Sequence, residues 1–287
     1  MKAFLRHETR YRYGEPVFLE PHTVRLYPRS GSGIRVLDHR LEVEPETEGR
    51  SVVLDLDGNT VHHLWFGART DELVLITESE LEIHSFNPYN FLVHPTANTR
   101  LPVTYAPEVQ PVIAAYLNRC STNVPITAFA SSIAQEVAHD TVGFVSTLTQ
   151  RIHQLCERVD RMHGPPKLPQ QTLKDLHGSC RDLAVVFIDS CRALGLAARF
   201  VSGYVLDERD DAERELHAWG EVYFPGAGWR GFDPSTGAIT GNTYLSVAAG
   251  RLSALAAPVV GSFRGPSVKA TLDYAIQINW QGAGVEG

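Results

Sequence analysis

Near the middle of the chain, Gly178-Ser179-Cys180-Arg181-Asp182 opens an apolar helical pattern with a cysteine in its first turn, and this limits what can be built around it. Leu183, Ala184, Val186, Phe187 and Ile188 recur at i, i+3 and i+4, so the spacing predicts a helix over about 180–194 with a wide buried face. Ser179 is a good N-cap, Asp182 follows it by three residues, and Gly195 ends the run. Cys180 is therefore expected where free backbone N–H groups and the helix dipole favour an anion, here a thiolate.

The segments that follow bring two more groups to the same end. Ala198 to Val205 reads as a strand running back towards the level of Cys180, and a loop over about 207–215 turns there. His217 to Phe224 runs away again, Pro225-Gly226-Ala227-Gly228 turns, and Trp229 to Asp233 returns. Pairing Tyr223 with Ala227 places His217 opposite Asp233, and pairing Phe224 with Trp229 sets the two a diagonal neighbour apart. In both registers an Asp233 carboxylate can fix the tautomer of His217 and stabilise its imidazolium, as an orienter does for a base beside a nucleophile.

The same residues resemble a known family. Gly-Ser-Cys180-Arg-Asp, then Arg192-Ala-Leu-Gly195 through Arg199-Phe-Val-Ser-Gly203-Tyr204, then His217-Ala-Trp219-Gly-Glu221, then Gly228-Trp229-Arg-Gly-Phe-Asp233-Pro-Ser-Thr-Gly237, are similar to the core of the transglutaminase-like superfamily. The opening His7-Glu-Thr9-Arg-Tyr11-Arg-Tyr13, with His22-Thr-Val-Arg25-Leu-Tyr-Pro28-Arg29 and Asp57-Gly58-Asn59, resembles the N-terminal β domain of bacterial transglutaminase-like cysteine proteases. The resemblance implies a papain-like fold with Cys180 as nucleophile, His217 as base and Asp233 as orienter. Arg181 stands where such proteins often carry Gln. The chemistry implied is acyl transfer through a thioester, with water as second nucleophile for a protease or amidase. An amine in that role gives a transamidase, and a silent papain-like domain serving an assembly is the reading from another class.

Composition narrows the partners. With 287 residues, 43% hydrophobic and 21% charged, the chain is long enough for two domains. A formal net charge of -7 argues against nucleic acid or an anionic membrane as partner and favours a cationic or neutral substrate, while the resemblance implies a peptide or amide substrate with an amine as the alternative acceptor. The first residues, Met1-Lys-Ala-Phe-Leu-Arg-His-Glu, place charges where a secretory signal needs an apolar run, and no stretch is apolar enough to span a membrane. Cys180 and Cys191 lie about 16 Å apart along one helix, too far to bond, and four cysteines in all make no disulfide framework. A cytoplasmic location is expected.

The expected fold class is α+β: an N-terminal β-sandwich domain over 1–104, a transglutaminase-like catalytic core of helices plus antiparallel sheet over 105–240, and a C-terminal segment, 241–287, whose last strand packs on one of the two. Val52, Leu54 and Leu56 alternate, Asp57-Gly58-Asn59 turns, and Val61, His63 and Trp65 alternate back. Helices are expected over Val112–Leu117, Ile126–Val137 and Phe144–Val159, followed by a linker from His163 to Pro169. Val268, Ala270, Leu272, Tyr274, Ile276 and Ile278 alternate as a strand.

Further side chains carry weaker signals. The run from Asp207 to Glu215 has six acids and two arginines and is expected at the mouth of the site, as a solvated loop or as a rim for an amine-bearing substrate. Trp219 shares a face with His217 and Glu221, where it shields the site or packs the core. The oxyanion hole needs the Cys180 N–H and a second donor, for which Ser179, Gln170 and Gln171 are candidates. His62 and His63 point to opposite faces of a strand, so no metal is expected, nor any other cofactor.

Overall fold

A single strand of eighteen residues organises the first half of the protein. β1 (Lys2–Leu19) buries Ala3, Leu5, His7 and Thr9 in strict alternation, the signature of a strand packed on one face. It is followed by β2 (His22–Val24), β3 (Ile34–Glu44), β4 (Gly49–Leu54), β5 (Thr60–Trp65) and β6 (Arg69–Ile83). The computed structural model describes residues 1–31, 33–119, 124–161, 164–206, 214–265 and 267–281.

The remaining elements are α1 (Gln110–Leu117), α2 (Val124–Glu136), α3 (Thr141–Leu155), β7 (Glu157–Arg158), α4 (Pro169–Asp175), β8 (His177–Gly178), α5 (Cys180–Ala193), β9 (Ala198–Val205), β10 (His217–Phe224), β11 (Gly228–Asp233), β12 (Ala238–Ile239), β13 (Tyr244–Gly250), β14 (Val259–Val260), β15 (Phe263–Arg264) and β16 (Ala270–Gln281).

Two antiparallel sheets form the N-terminal sandwich. β1 lies between β6 and the late strands β15 and β16, with β3 beyond β6, while β14, β2, β5 and β4 form the second sheet. Tyr13, Val17, Leu19, Leu41, Leu73 and Leu75 of the first sheet meet Val24, Leu26, Leu64 and Phe66 of the second in one apolar layer. Strand structure was expected up to residue 104. The first run of strands stops at Ile83, and 84–104 hold a short 3-10 turn, Thr96–Thr99, and a single antiparallel bridge from Arg100 to Asp140.

A third sheet, ordered β12-β11-β10-β9-β13 and antiparallel throughout, carries α5 on its central strands. Gly220 of β10 makes this contact close, because a Cβ there would stand 2.4 Å from Phe187 Cδ1 of α5. Tyr204, Leu206, Leu245 and Val247 of this sheet pack against Ala3, Leu5, Leu81, Ile276 and Ile278 of the N-terminal one. Asn59 adds a polar clasp: its Nδ2 donates to the Ala249 carbonyl at 2.7 Å and its Oδ1 accepts from the Ala249 N–H at 2.8 Å.

The C-terminal residues serve both halves, since β13 pairs with β9 and β16 pairs with β1 from Lys2↔Gln281 to Tyr13↔Ala270. The mixed α+β architecture agrees with the sequence pattern, with three differences in detail. α3 ends at Leu155 and not at Val159, because Cys156 turns to φ -110, ψ 123 and the next two residues pair in parallel with His177–Gly178. The expected linker is loop over 164–168, but α4, which Pro169 opens with its preset φ, and β8 stand between it and Cys180. The β10–β11 hairpin takes a register between the two expected ones, pairing Phe224 with Gly228 around Pro225, Gly226 and Ala227, and Gly220 with Phe232.

Candidate active site

The first turn of α5 is fixed by a buried carboxylate. Ser179 is extended at the N-cap (φ -72, ψ 167), and Asp182 Oδ2 accepts from its N–H at 2.8 Å and from its hydroxyl at 2.9 Å. The other oxygen, Oδ1, accepts from Arg161 Nη2 at 2.6 Å and from the Lys167 N–H at 2.7 Å. Burial alone would raise the pKa of Asp182, yet the donors from Lys167 and Ser179 and the charge of Arg161 hold it below the usual carboxylate range. Cys180, the first residue of α5, opens into a cleft of about 180 Å³ lined also by His217, Ser202, Leu216, Leu272 and Tyr274.

His217 and Asp233 meet across the β10–β11 hairpin. In the observed register Gly220 faces Phe232, which sets His217 and Asp233 diagonally, and His217 Nε2 lies 2.8 Å from Asp233 Oδ2. Burial works against the imidazolium, but hydrogen bonds to Asp233 and to Cys180, with their charges, outweigh it and push the pKa of His217 up to about 10. With Nε2 given to Asp233, Nδ1 is the ring nitrogen left to serve the sulfur.

Asp233 is fully buried and all its acceptor capacity near the histidine is in use. Its Oδ1 accepts from the Ser235 N–H at 2.8 Å and hydroxyl at 2.7 Å, and its Oδ2 accepts from Tyr244 Oη at 2.9 Å as well as from His217. Burial would raise its pKa, and the His217 and Ser235 bonds bring it down to about 2. Trp219, on the same strand face as His217, stacks beside it with ring centroids 6.3 Å apart and meets Tyr244 edge-on at 5.4 Å.

The other residues singled out in the sequence lie elsewhere or are otherwise engaged. Trp219 is 2% exposed and does not line the cleft, so it backs the histidine from inside. Gln171 is exposed on α4 and donates to Asp175 Oδ1 at 2.6 Å, one helical turn on, outside the cleft; it is not placed as an oxyanion donor. Ser179 lines the cleft, but its hydroxyl is directed at Asp182. Gln170 is half-buried, with no partner for Oε1 among the described residues. Arg181 turns its guanidinium to the carbonyls of Gly164 and Arg161.

Of the acidic run, 207–213 lie outside the described residues; Glu215 lines the cleft and accepts from Arg158. His62 is buried and His63 exposed, and among the described residues no group of three or more metal-ligating side chains occurs. Nor is any helix among them long and apolar enough to cross a membrane.

Sequence reasoning missed Ser235, Tyr244, Arg161 and the wall supplied by Leu272 and Tyr274. Asp233-Pro234-Ser235 does carry a signal, the Asx turn that a side chain makes to the N–H two residues on. Tyr244 carries none, because its contact crosses two intervening strands.

Comparisons with known proteins agree with this architecture. The chain is 26% identical over 279 residues to an uncharacterized protein of Mycobacterium leprae, covering 95% of this chain and 96% of the relative. An uncharacterized protein of Mycobacterium bovis is 24% identical over 314 residues, covering 95% and 90%. Among solved structures, the "Putative Cysteine Protease from Cytophaga hutchinsonii" superposes with a TM-score of 0.72 at 20% identity, covering 97% of this chain and 90% of that one, which shows a shared fold. Residues 4–82 match the bacterial transglutaminase-like N-terminal region, and residues 127–234, which hold Cys180, His217 and Asp233, match the transglutaminase-like superfamily. The chain thus carries a transglutaminase-like core over residues 127–234 behind the N-terminal region of bacterial transglutaminase-like proteins over residues 4–82.

Proposed function

We propose that the protein is a cysteine-dependent hydrolase of amide or peptide bonds, working through a thioester on Cys180. The observation that carries this is the buried chain Cys180, His217, Asp233, with His217 Nε2 2.8 Å from the carboxylate and its other nitrogen left for the thiol. His217 takes the thiol proton, Cys180 Sγ attacks the carbonyl carbon, and the C–N bond breaks as His217 returns that proton to the leaving amine. His217 then takes a proton from water, whose oxygen attacks the thioester carbon, and the thiol leaves with the proton restored. The Cys180 N–H at the start of α5 supplies one oxyanion donor. The name borne by the Cytophaga hutchinsonii structure supports the reading by analogy of fold.

An amine replacing water in the second step gives a transamidase with the same three residues. An amine must be neutral to attack, so water is the default acceptor. A peptide library incubated with the enzyme in 18O-water, with and without a panel of primary amines, separates these. Carboxylate products carrying the label, absent for Cys180→Ala, are expected. Activity surviving in Cys180→Ala overturns the nucleophile, and amide products dominating at modest amine concentration overturn the hydrolase.

A further inference from the structure

We infer that Tyr244 is a positioning residue for His217, acting through Asp233. This rests on the reading of Cys180, His217 and Asp233 above and adds a third strand to that machinery. Tyr244 starts β13, the edge of the sheet, while Asp233 ends β11, with β9 and β10 between them. Its hydroxyl nonetheless donates to Asp233 Oδ2 at 2.9 Å, the same oxygen that receives His217 Nε2 at 2.8 Å. Thr236 Oγ1 lies 3.1 Å from the tyrosine oxygen and fixes its direction.

The reach is made possible by bare backbone. Gly203 of β9 stands in register between His217 and Ser246, and a Cβ on it would come within 2.6 Å of Trp219 Cη2. The glycine lets the indole lie flat across β9 beside the imidazole, and the Tyr244 ring meets that indole at 5.4 Å while its centroid sits 6.4 Å from His217.

Ser235 saturates Oδ1 and Tyr244 takes the second site on Oδ2, so the carboxylate has one orientation and presents one lone pair to the imidazole. A donor on Oδ2 also favours the charged carboxylate over the acid, and the charged form is the one that holds the imidazolium beside the Cys180 thiolate.

The test needs no substrate. The rate of Cys180 alkylation by iodoacetamide, followed by mass spectrometry from pH 3 to 10, reports the thiolate held by His217. Tyr244→Phe keeps the ring and removes the donor, and it is expected to move the acid midpoint up by about one unit, a roughly tenfold slower reaction on that limb, with the thermal midpoint little changed. Replacing Tyr244 by 3-fluorotyrosine keeps the shape, strengthens the donor, and moves the limb down. A structural role predicts a lower thermal midpoint with an unmoved profile in both variants, and that result overturns the inference. A wild-type Cys180 that reacts no faster on the acid side than a free thiol overturns the nucleophile assignment itself, and with it this one.

Discussion

Arg161 reaches the buried Asp182 with Nη2 2.6 Å from Oδ1, and so ties the rim of the cleft to the first turn of α5. The same carboxylate holds the backbone of Ser179, the residue before Cys180. Asp182→Ala leaves the Ser179 and Lys167 N–H groups without their acceptor, and a buried donor left unpaired costs about 1–3 kcal/mol. A large fall in thermal midpoint is expected, together with slower alkylation of Cys180 in the fraction that stays folded. A variant as stable as the wild type would show that the pair is not what fixes the turn.

The histidines give stability a dependence on pH whose two sides have opposite causes. Burial lowers the pKa of His7 to about 4, and burial with the nearby His62 lowers that of His39 to about 4. In the unfolded chain both bind protons near pH 6.5, so their contribution is complete above that value and is lost as pH falls from about 6.5 towards 4. His217 behaves in reverse: raised to about 10 when folded, it contributes fully below pH 6.5, and that contribution is lost as pH rises towards 10. Thermal midpoints measured against pH are expected to peak near 6.5. His7→Gln should flatten the acid side and His217→Gln the alkaline side; an alkaline side unchanged by His217→Gln would refute the raised value.

Asp233→Asn tests the pair on the hairpin. Asparagine keeps the size and accepts from Ser235, but it removes the charge that holds the His217 imidazolium and permits the wrong tautomer. Turnover is expected to fall by about a thousandfold or more while the fold persists. Lost stability with normal turnover in the folded fraction would make Asp233 a turn former and no more.

Cysteine reactivity is expected to separate Cys180 from the two other described cysteines. Burial raises the thiol pKa of Cys156, and does so strongly for Cys191, which is 0% exposed. Neither lines the cleft. Iodoacetamide near neutral pH is expected to modify Cys180 first, and a map of modified peptides with Cys156 or Cys191 ahead of it would contradict a thiolate at Cys180.

What could be read beforehand followed from local rules. The boundaries of β9 and β10 and the start of α5 come from alternation, a capping serine and a 3.6-residue period, so the convergence of Cys180, His217 and Asp233 at one end was legible. The partners of those residues were not. Tyr244 begins Tyr-Leu-Ser-Val-Ala-Ala-Gly, a run too rich in small residues to declare its strand, and its partner lies across the sheet. β7 and β8 have two residues each and exist only because they pair with one another, which no periodicity reveals. Leu272 and Tyr274 read correctly as strand, but their place at the cleft depends on β16 returning to β1.

Gly220 offers a way to move Cys180 without touching it. Its missing Cβ lets Phe187 lie against β10, with Cδ1 only 2.4 Å from where that atom would be and Ile188 Cγ1 at 3.3 Å. Phe187 is fully buried and cannot swing aside, so Gly220→Ala must lift α5 from the sheet or displace the ring, at a cost of about 1–3 kcal/mol. Cys180 is on the lifted helix and His217 on the strand left behind. Separating sulfur from imidazole by even about 1 Å weakens proton transfer, and misplacement of that size is worth about a hundredfold in rate. Alkylation of Cys180 is therefore expected to slow far more than the loss of stability alone explains, while Gly241→Ala, whose Cβ meets nothing within 4 Å, leaves both unchanged. Equal losses in the two measurements for Gly220→Ala would mean that the helix and the strand move together.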